Sequence, residues 1–200
     1  MPSTVNQEQK LSEEQGQALV KLARLTLENT LKQTERQADE ELQHSLSAPE
    51  LQTRRGTFVT LHIHGRLRGC IGSLLPENTI TESVKENAVN AALRDPRFPP
   101  LTAAELDKTR IEVSVLTDPQ VLEYTDAEDL LTRLRPKIDG VILQKGPARS
   151  TFLPQVWEQL PQTSQFLSQL CLKAGLPADA WKNEHPQILT YQAQYFEEPK

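Results

Sequence analysis

Hydrophobic positions near the start of the chain recur every three or four residues. Leu19, Leu22 and Ala23 follow this spacing, which predicts an amphipathic helix of about 20 residues. Ser12 and Gln15 have the spacing of a capping box, in which side chains bind the free amides of the first helical turn. The apolar stripe needs a core to face, so we expect this helix to pack on the body of the protein.

The other residues before position 57 are mostly polar and show little hydrophobic periodicity. No Phe, Trp or Tyr occurs before residue 58. We predict that residues 1–10 form a loose leader, and that 33–56 form a fading helix followed by a surface connection.

Beyond residue 57 the pattern mixes two-residue alternation with helical spacing. Val59, Leu61 and Ile63 alternate with Thr60 and His62, as in a half-buried strand. The same reasoning predicts extended segments over 58–64, 67–74, 111–115 with a continuation towards residue 124, 139–145 and 187–196. Capping residues with proline or glycine stops predict helices that begin near Thr79, Thr102, Asp126 and either Thr163 or Ser164. Strands and helices do not alternate regularly, so we predict an α+β fold with antiparallel pairing.

Composition narrows the class of protein. The 200 residues include 22 Lys and Arg against 27 Asp and Glu, which gives a net charge of −5. This balance argues against sequence-independent binding of nucleic acid, which depends on a positive field. No apolar run approaches the roughly 20 residues of a membrane helix. The start lacks a signal-peptide pattern and the two cysteines form no disulfide framework, so we expect a cytoplasmic protein.

The segment 67–72, LRGCIG, places a cysteine between two glycines. Gly69 and Gly72 remove side-chain bulk, so the backbone there can approach a ligand or another strand closely. On a straight strand Arg68 and Cys70 share a face, where a guanidinium would favour the thiolate. Cys70 is therefore either a reactive thiol or a small residue buried at a tight strand crossing.

Five segments carry a resemblance to a known family. They are LRGCIG at 67–72, DPRFPPL at 95–101, EVSVL at 112–116, TFLPQVWEQL at 151–160 and C-x-KAGLP-x-x-AW at 171–181. In this order and spacing they resemble the AMME syndrome candidate-gene (AMMECR) domain family, whose prokaryotic members are called AmmeMemoRadiSam system protein A. The resemblance covers about residues 10–197, which is nearly the whole chain.

The resemblance implies a single α+β domain over 11–200 with two lobes. The larger lobe would be an antiparallel-sheet part with packed helices built from both chain ends, and the smaller would be inserted between them. LRGCIG would lie near the cleft between the lobes. The resemblance also implies companion proteins that are similar to a radical-SAM enzyme and to a Memo-like protein, but it implies no particular reaction.

Cys70 and Glu112 are the candidate catalytic residues. Glu112 lies in an apolar strand and faces away from its apolar neighbours, so it is a candidate general base or metal ligand if that face lines a cleft, and otherwise part of a solvated face. Arg68 and Arg97 are candidates for binding an anionic substrate, because guanidinium offers a planar fork of donors. An ion pair with Asp95 is the alternative role of Arg97.

Gly69, Gly72 and Trp157 complete the candidate substrate-binding set. Trp157 can stack on a ligand or pack between parts of the fold. His62 and His64 have metal-ligand spacing, but no further His or Cys cluster accompanies them, so we predict no metal site. The chain contains no phosphate-binding loop, dinucleotide fingerprint or iron–sulfur cysteine cluster, and we predict no cofactor.

These observations favour an enzyme or enzyme accessory. It would handle a small anionic metabolite or a modified residue in a pathway shared with the radical-SAM and Memo-like companions. The alternative is a non-enzymatic module or scaffold that binds a protein or, against its net charge, a nucleic acid.

Overall fold

The structure is a computed structural model that describes residues 10–74 and 77–199. It divides into two units, one formed by the chain up to Leu116 together with the segment from Gln194, and the other by Thr117–Ala193. The predicted α+β class, with a larger part from both chain ends and a smaller inserted part, is confirmed. The predicted loose leader lies outside the described residues except for Lys10, which is exposed.

Helices and strands follow one another along the chain without a repeating order. They are α1 (Glu13–Lys32), α2 (Glu40–Leu46), a short 3₁₀ helix (Pro49–Gln52), β1 (Thr57–Ile63), β2 (Arg66–Ser73), α3 (Ile80–Leu93), α4 (Ala103–Leu106), β3 (Thr109–Leu116), β4 (Gln120–Val121), α5 (Ala127–Arg133), β5 (Gly140–Lys145), β6 (Ala148–Phe152), a second 3₁₀ helix (Pro154–Glu158), α6 (Thr163–Lys173), α7 (Ala180–Asn183), β7 (Gln187–Tyr191) and β8 (Ala193–Glu197). In the described part of the chain, none of these helices combines the length and apolarity that crossing a membrane requires.

The first unit is built on a sheet with the strand order β2-β1-β3-β8. One face of this sheet is apolar and packs with α1 and α3, as Val59, Leu61 and Val113 in the same core cluster show. The predicted capping boxes of α1 and α3 form at Ser12 and Thr79. Each satisfies amides that the helix itself leaves free, so the start of both helices is set locally.

The second unit is built on a sheet with the order β4-β7-β5-β6. Its core contains Phe166 of α6, which stacks on Trp157 with ring centroids 3.7 Å apart. Helix α6 ends where Gly175 adopts a φ of 76°. Leu176 N–H then donates to the Cys171 carbonyl and Gly175 N–H to that of Leu172, as in a Schellman motif. The predicted glycine stop is therefore correct.

Some predicted boundaries are wrong. The extended segment over 187–196 is two strands, β7 and β8, which belong to different sheets. Strand β3 ends at Leu116, and β4 is separate from it. The N-cap of α6 is Gln162, which makes no side-chain cap hydrogen bond, and not Thr163 or Ser164. Strand β6 has no counterpart among the predicted elements, because its sequence ARSTF alternates weakly.

Candidate functional site

Three adjacent strands place Cys70, Thr60 and Glu112 in one cross-strand row. Thr60 of β1 is paired with Cys70 of β2 on one side and with Glu112 of β3 on the other. Residues directly opposite one another in a sheet share a face. This face, which we call the Cys70 face, is opposite to the apolar face that carries Val59 and Val113. A thiol, a hydroxyl and a carboxylate thus lie side by side although they come from three separate parts of the sequence.

The thiol of Cys70 is directly bonded within this row. Thr60 Oγ1 donates a hydrogen bond to Cys70 Sγ at 3.3 Å. The main-chain groups of Cys70 bind partners outside the sheet, so Cys70 and Thr60 form a non-hydrogen-bonded pair of the ladder. Side chains approach most closely in such pairs, which accounts for the contact.

Glu112 is buried. Only 8% of the residue is exposed, and Ser114 Oγ lies at 3.5 Å from its Oε1 as a weak donor. The solvated sheet face, which was the alternative for Glu112, therefore does not describe this position. Taking a carboxylate out of water is costly unless it is hydrogen-bonded or charge-paired, so a buried Glu112 is an unusual use of a strand position.

Asp95 and Arg97 bind the main chain of Cys70. The two side chains form an ion pair in which Arg97 Nη2 and Nε lie 2.7 and 2.9 Å from the Asp95 carboxylate oxygens. Asp95 also accepts from Cys70 N–H at 2.9 Å, and Arg97 Nη2 donates to the Cys70 carbonyl at 3.2 Å. The ion pair considered for Arg97 is therefore present, and it lies directly against the cysteine.

Arg68 does not face the thiol as a straight strand would place it. Leu61 is paired with Gly69 but the next residue, His62, is paired with Leu67, so Arg68 is the extra residue of a β-bulge, which interrupts the alternation of faces. Its Nε and Nη2 donate to the Glu105 carboxylate at 3.0 and 3.3 Å. The guanidinium is thus committed to Glu105, which holds the pKa of that carboxyl down at about 2.

The surroundings of Cys70 favour the neutral thiol. Burial raises the pKa of the thiol, and the negative charges of Glu112 and Asp95 raise it further. The hydrogen bond from Thr60 and the positive charge of Arg97 act in the opposite direction, but the net shift is upwards. Of the two alternatives for Cys70, a resting thiolate favoured by Arg68 is therefore the one that these surroundings disfavour.

The two glycines of LRGCIG are explained by packing within the first unit. A Cβ at Gly69 would lie 2.2 Å from the main-chain oxygen of Ala91 in α3. A Cβ at Gly72 would lie 2.2 Å from the main-chain oxygen of Thr57 and 2.4 Å from the Phe58 ring. Both glycines permit close approach of protein backbone or side chains, so binding of substrate by either is not needed to account for them.

Trp157 and Cys171 belong to the second unit and are not part of the Cys70 face. Trp157 belongs to the core of the second unit and has 0% exposure, with its Nε1 donating to the Asp139 carbonyl at 2.7 Å. That position favours packing over stacking on a ligand. Cys171 is fully buried in the same core, as predicted. His64 lies in the turn after β1 with a φ of 52°. Across the described ranges there is no cluster of three metal-ligating side chains.

Sequence reasoning missed three members of this arrangement. The sequence places Thr60 only in an alternating strand and Asp95 only as an alternative partner of Arg97, and it gives Glu105 no role beyond the capping box that Thr102 begins. Thr60 could have been found by aligning the two predicted strands as a hairpin about Gly65. The second role of Glu105 carried no signal, because a capping box fully explains a glutamate at that spacing.

Comparison with known proteins gives consistent matches along the chain. The family model AMMECR1 matches residues 20–196. A protein of Methanothermobacter thermautotrophicus is 39% identical over 194 residues, which cover 94% of this chain and 96% of that protein. A protein of Methanosarcina barkeri is also 39% identical, with 94% and 92% covered. The crystal structure of an uncharacterized protein from Pyrococcus horikoshii superposes with a TM-score of 0.80 at 36% identity, covering 94% of this chain and 93% of the other.

Proposed function

This chain belongs to the AMMECR1 family, and from that premise we propose that it is an enzyme, or an enzyme accessory, that handles a small anionic metabolite or a modified residue at the Cys70 face. The proposed setting is a pathway with companions that resemble a radical-SAM enzyme and a Memo-like protein. The observation that carries the proposal is the row of Cys70, Thr60 and Glu112 on one sheet face. A thiol and a buried carboxylate on either side of one threonine hydroxyl form an arrangement that a purely structural sheet does not require.

The proposed chemistry begins from a protonated thiol. For Cys70 Sγ to add to a carbonyl carbon of a ligand, the C=O π electrons move onto the oxygen and the thiol loses its proton, because the thiolate is the nucleophile. Glu112 is the carboxylate of the same row, and we assign it the role of accepting that proton by way of the Thr60 hydroxyl, which lies between the two residues. The Thr60 hydroxyl then donates to the sulfur and stabilises the thiolate as it forms.

Arg97 is the proposed contact for the acidic or carbonyl oxygen of the ligand. Its side chain is 54% exposed. Its Nε and Nη2 donate to Asp95 and to the Cys70 carbonyl, whereas its Nη1 makes no hydrogen bond within residues 10–74 and 77–199. Arg68 has no comparable freedom, since it binds Glu105 and the Pro99 carbonyl and is 13% exposed. We therefore retain Arg97, and not Arg68, in the substrate-binding role.

The proposal is tested in cells of the native source by replacing the chromosomal copy with Cys70→Ser or Glu112→Gln. Cys171→Ala is the matched control, because it alters the other cysteine in the core of the second unit. We expect both Cys70-face variants to accumulate the same metabolite at wild-type protein levels, and the control to resemble wild type. Metabolite profiles of Cys70→Ser and Glu112→Gln that match wild type at equal abundance would refute the enzyme proposal.

One observation favours the alternative, a non-enzymatic binding module or scaffold. The resting thiol is neutral and both nearby arginines are bound to carboxylates of this chain, so the site has no activated nucleophile before a ligand arrives. A stoichiometric protein partner that is captured equally by wild type and Cys70→Ser would support this alternative. The net charge of −5 continues to disfavour nucleic acid as that partner.

A further inference from the structure

The segment that follows α3 and runs into α4 is bound to the edge strand of the first sheet at two points. Strand β2 is an edge strand in the order β2-β1-β3-β8. Asp95 and Arg97 bind the main chain of Cys70 at one point. At the other, Arg68 of β2 binds Glu105 and the Pro99 carbonyl. We call residues 95–105 the strap.

We infer that Asp95 is a positioning residue of the Cys70 site, because with the Arg97 that it holds it fixes the main chain of Cys70 in β2; Glu105 holds Arg68 at the other end of the strap. The use of this site rests on the proposed function, whereas the geometry does not. Neither carboxylate is assigned a contact with a ligand. Both act through the residues that they hold.

Asp95 is saturated by donors. Its Oδ1 accepts from Arg97 Nε at 2.9 Å and from Arg97 N–H at 3.1 Å, and its Oδ2 accepts from Arg97 Nη2 at 2.7 Å and from Cys70 N–H at 2.9 Å. The side chain is 2% exposed. These bonds, the one from the Arg97 guanidinium first, hold the pKa of the Asp95 carboxyl well below its usual range, so the group is ionised wherever the protein is folded near neutrality.

The Asp95–Arg97 pair takes the place of a neighbouring strand at Cys70. Asp95 accepts from the Cys70 N–H, and Arg97 donates to the Cys70 carbonyl. A free edge would offer both groups to another chain. The pair occupies them and fixes the Cα of Cys70, from which the direction of the thiol towards Thr60 follows.

Glu105 links the second point to the start of α4. Its Oε2 accepts from Thr102 N–H and Thr102 Oγ1, each at 3.0 Å, while its two oxygens also bind Arg68. Arg68 in turn donates to the carbonyls of Pro99 and Pro100 at 2.9 and 3.4 Å. Consecutive prolines have fixed φ angles, so the strap meets β2 as a stiff segment.

The inference gives opposite predictions for the two members of the Asp95–Arg97 pair. The charged groups that act on the thiol are Arg97 and Asp95 from the strap and Glu112 from β3. Removing the Asp95 charge leaves Arg97 unneutralised beside the sulfur, which favours the thiolate. Removing the Arg97 charge leaves Asp95 unneutralised, which favours the thiol. If the strap served only for stability, both substitutions would shift the pKa of the Cys70 thiol in the same direction, because loosening the strap would hydrate the thiol in either case.

The test is the pH dependence of Cys70 alkylation by iodoacetamide in the full-length protein, read by peptide mass spectrometry. We expect Asp95→Asn to lower the midpoint by about 0.5–1 pH unit and Arg97→Gln to raise it by a similar amount. Arg97→Lys keeps the positive charge, so its alkylation midpoint should stay near that of wild type. Equal shifts in one direction, or no shift in either variant, would overturn the inference.

Protection of Cys171 reports folding of the second unit in the same samples, because that thiol is fully buried in its core, and thermal unfolding followed by circular dichroism reports whether the first unit is folded. If Asp95→Asn is unfolded by either readout, the comparison of Arg97→Gln with Arg97→Lys decides the matter alone, and an alkylation midpoint of Arg97→Gln at or below that of Arg97→Lys refutes the inference. Opposite shifts together with an intact pathway in Cys70→Ser cells would leave the role of the Asp95–Arg97 pair established and the proposed function rejected.

Discussion

Gly69→Ala separates packing from ligand binding as the reason for the first glycine of LRGCIG. The added Cβ would lie 2.2 Å from the Ala91 carbonyl oxygen, whereas real Cβ contacts essentially never fall under 3.0 Å. The clashing atom belongs to the main chain of α3, so it cannot turn away as a side chain would. Strand β2 and α3 must therefore separate by nearly an ångström within the core of the first unit.

The expected loss in the free energy of unfolding follows from this separation of β2 and α3. Overpacking of a core typically costs about 1–3 kcal/mol, and a main-chain clash belongs at the upper end. Replacing Gly by Ala also lowers the conformational entropy of the unfolded chain, which stabilises the folded protein by about 0.4–1 kcal/mol. The net loss is about 2 kcal/mol, or a fall of about 4–8 °C in Tm for a chain of this size. Thermal unfolding followed by circular dichroism, without any ligand, measures it.

Gly146→Asn is the matched control. No atom lies within 4 Å of a Cβ at Gly146, and its φ of 56° is one that Asn tolerates. We expect the control to lose less than about 1 kcal/mol. An unchanged Tm for Gly69→Ala would refute the packing argument, and a loss of function in cells at unchanged Tm would restore the ligand-binding role of Gly69.

Three further predictions concern stability. Ser12→Ala removes the acceptor of the Gln15 N–H at 3.1 Å and should cost about 1 kcal/mol, measured by thermal unfolding. Trp157→Phe leaves the buried Asp139 carbonyl without its 2.7 Å donor and should cost about 1–3 kcal/mol, measured by urea unfolding; an unchanged midpoint would contradict it. Glu105 has a folded pKa of about 2 against an unfolded value of about 4.3. The contribution of the Glu105 carboxylate to the free energy of unfolding is therefore fully present above about pH 5 and is lost as the pH falls towards 2. The difference in urea midpoint between wild type and Glu105→Gln should shrink over that range, and a constant difference would show that the ion pair with Arg68 is not its source.

The sequence anticipated the membership of the site better than its electrostatics. Cys70 and Glu112 were both candidates from the sequence, and the structure places them in one cross-strand row because their strands belong to the same sheet. A thiolate favoured by Arg68 was one of two alternatives for Cys70 and depends on a straight strand, whereas the bulge directs that arginine to Glu105. A bulge adds one residue to one strand without any mark in the hydrophobic alternation, so the strand had been read as straight.

Several helix starts and one helix stop were determined by the sequence itself. A capping box or a glycine stop works through residues three or four positions apart, so Ser12, Thr79 and Gly175 act before any tertiary contact forms. The apolar faces of α1, β1 and β3 were likewise fixed, because their periods are local properties of the chain.

Only the tertiary structure decided which strands lie beside one another. The alternating segment 187–196 is split between two sheets, although its pattern continues through Gln192. The pairing of Thr60 with both Cys70 and Glu112 depends on register, which side-chain packing sets across a sheet. The position of the strap likewise depends on hydrogen bonds between residues that are distant in sequence. A local pattern specifies which face of a strand is apolar, but long-range packing determines what that face and its opposite meet.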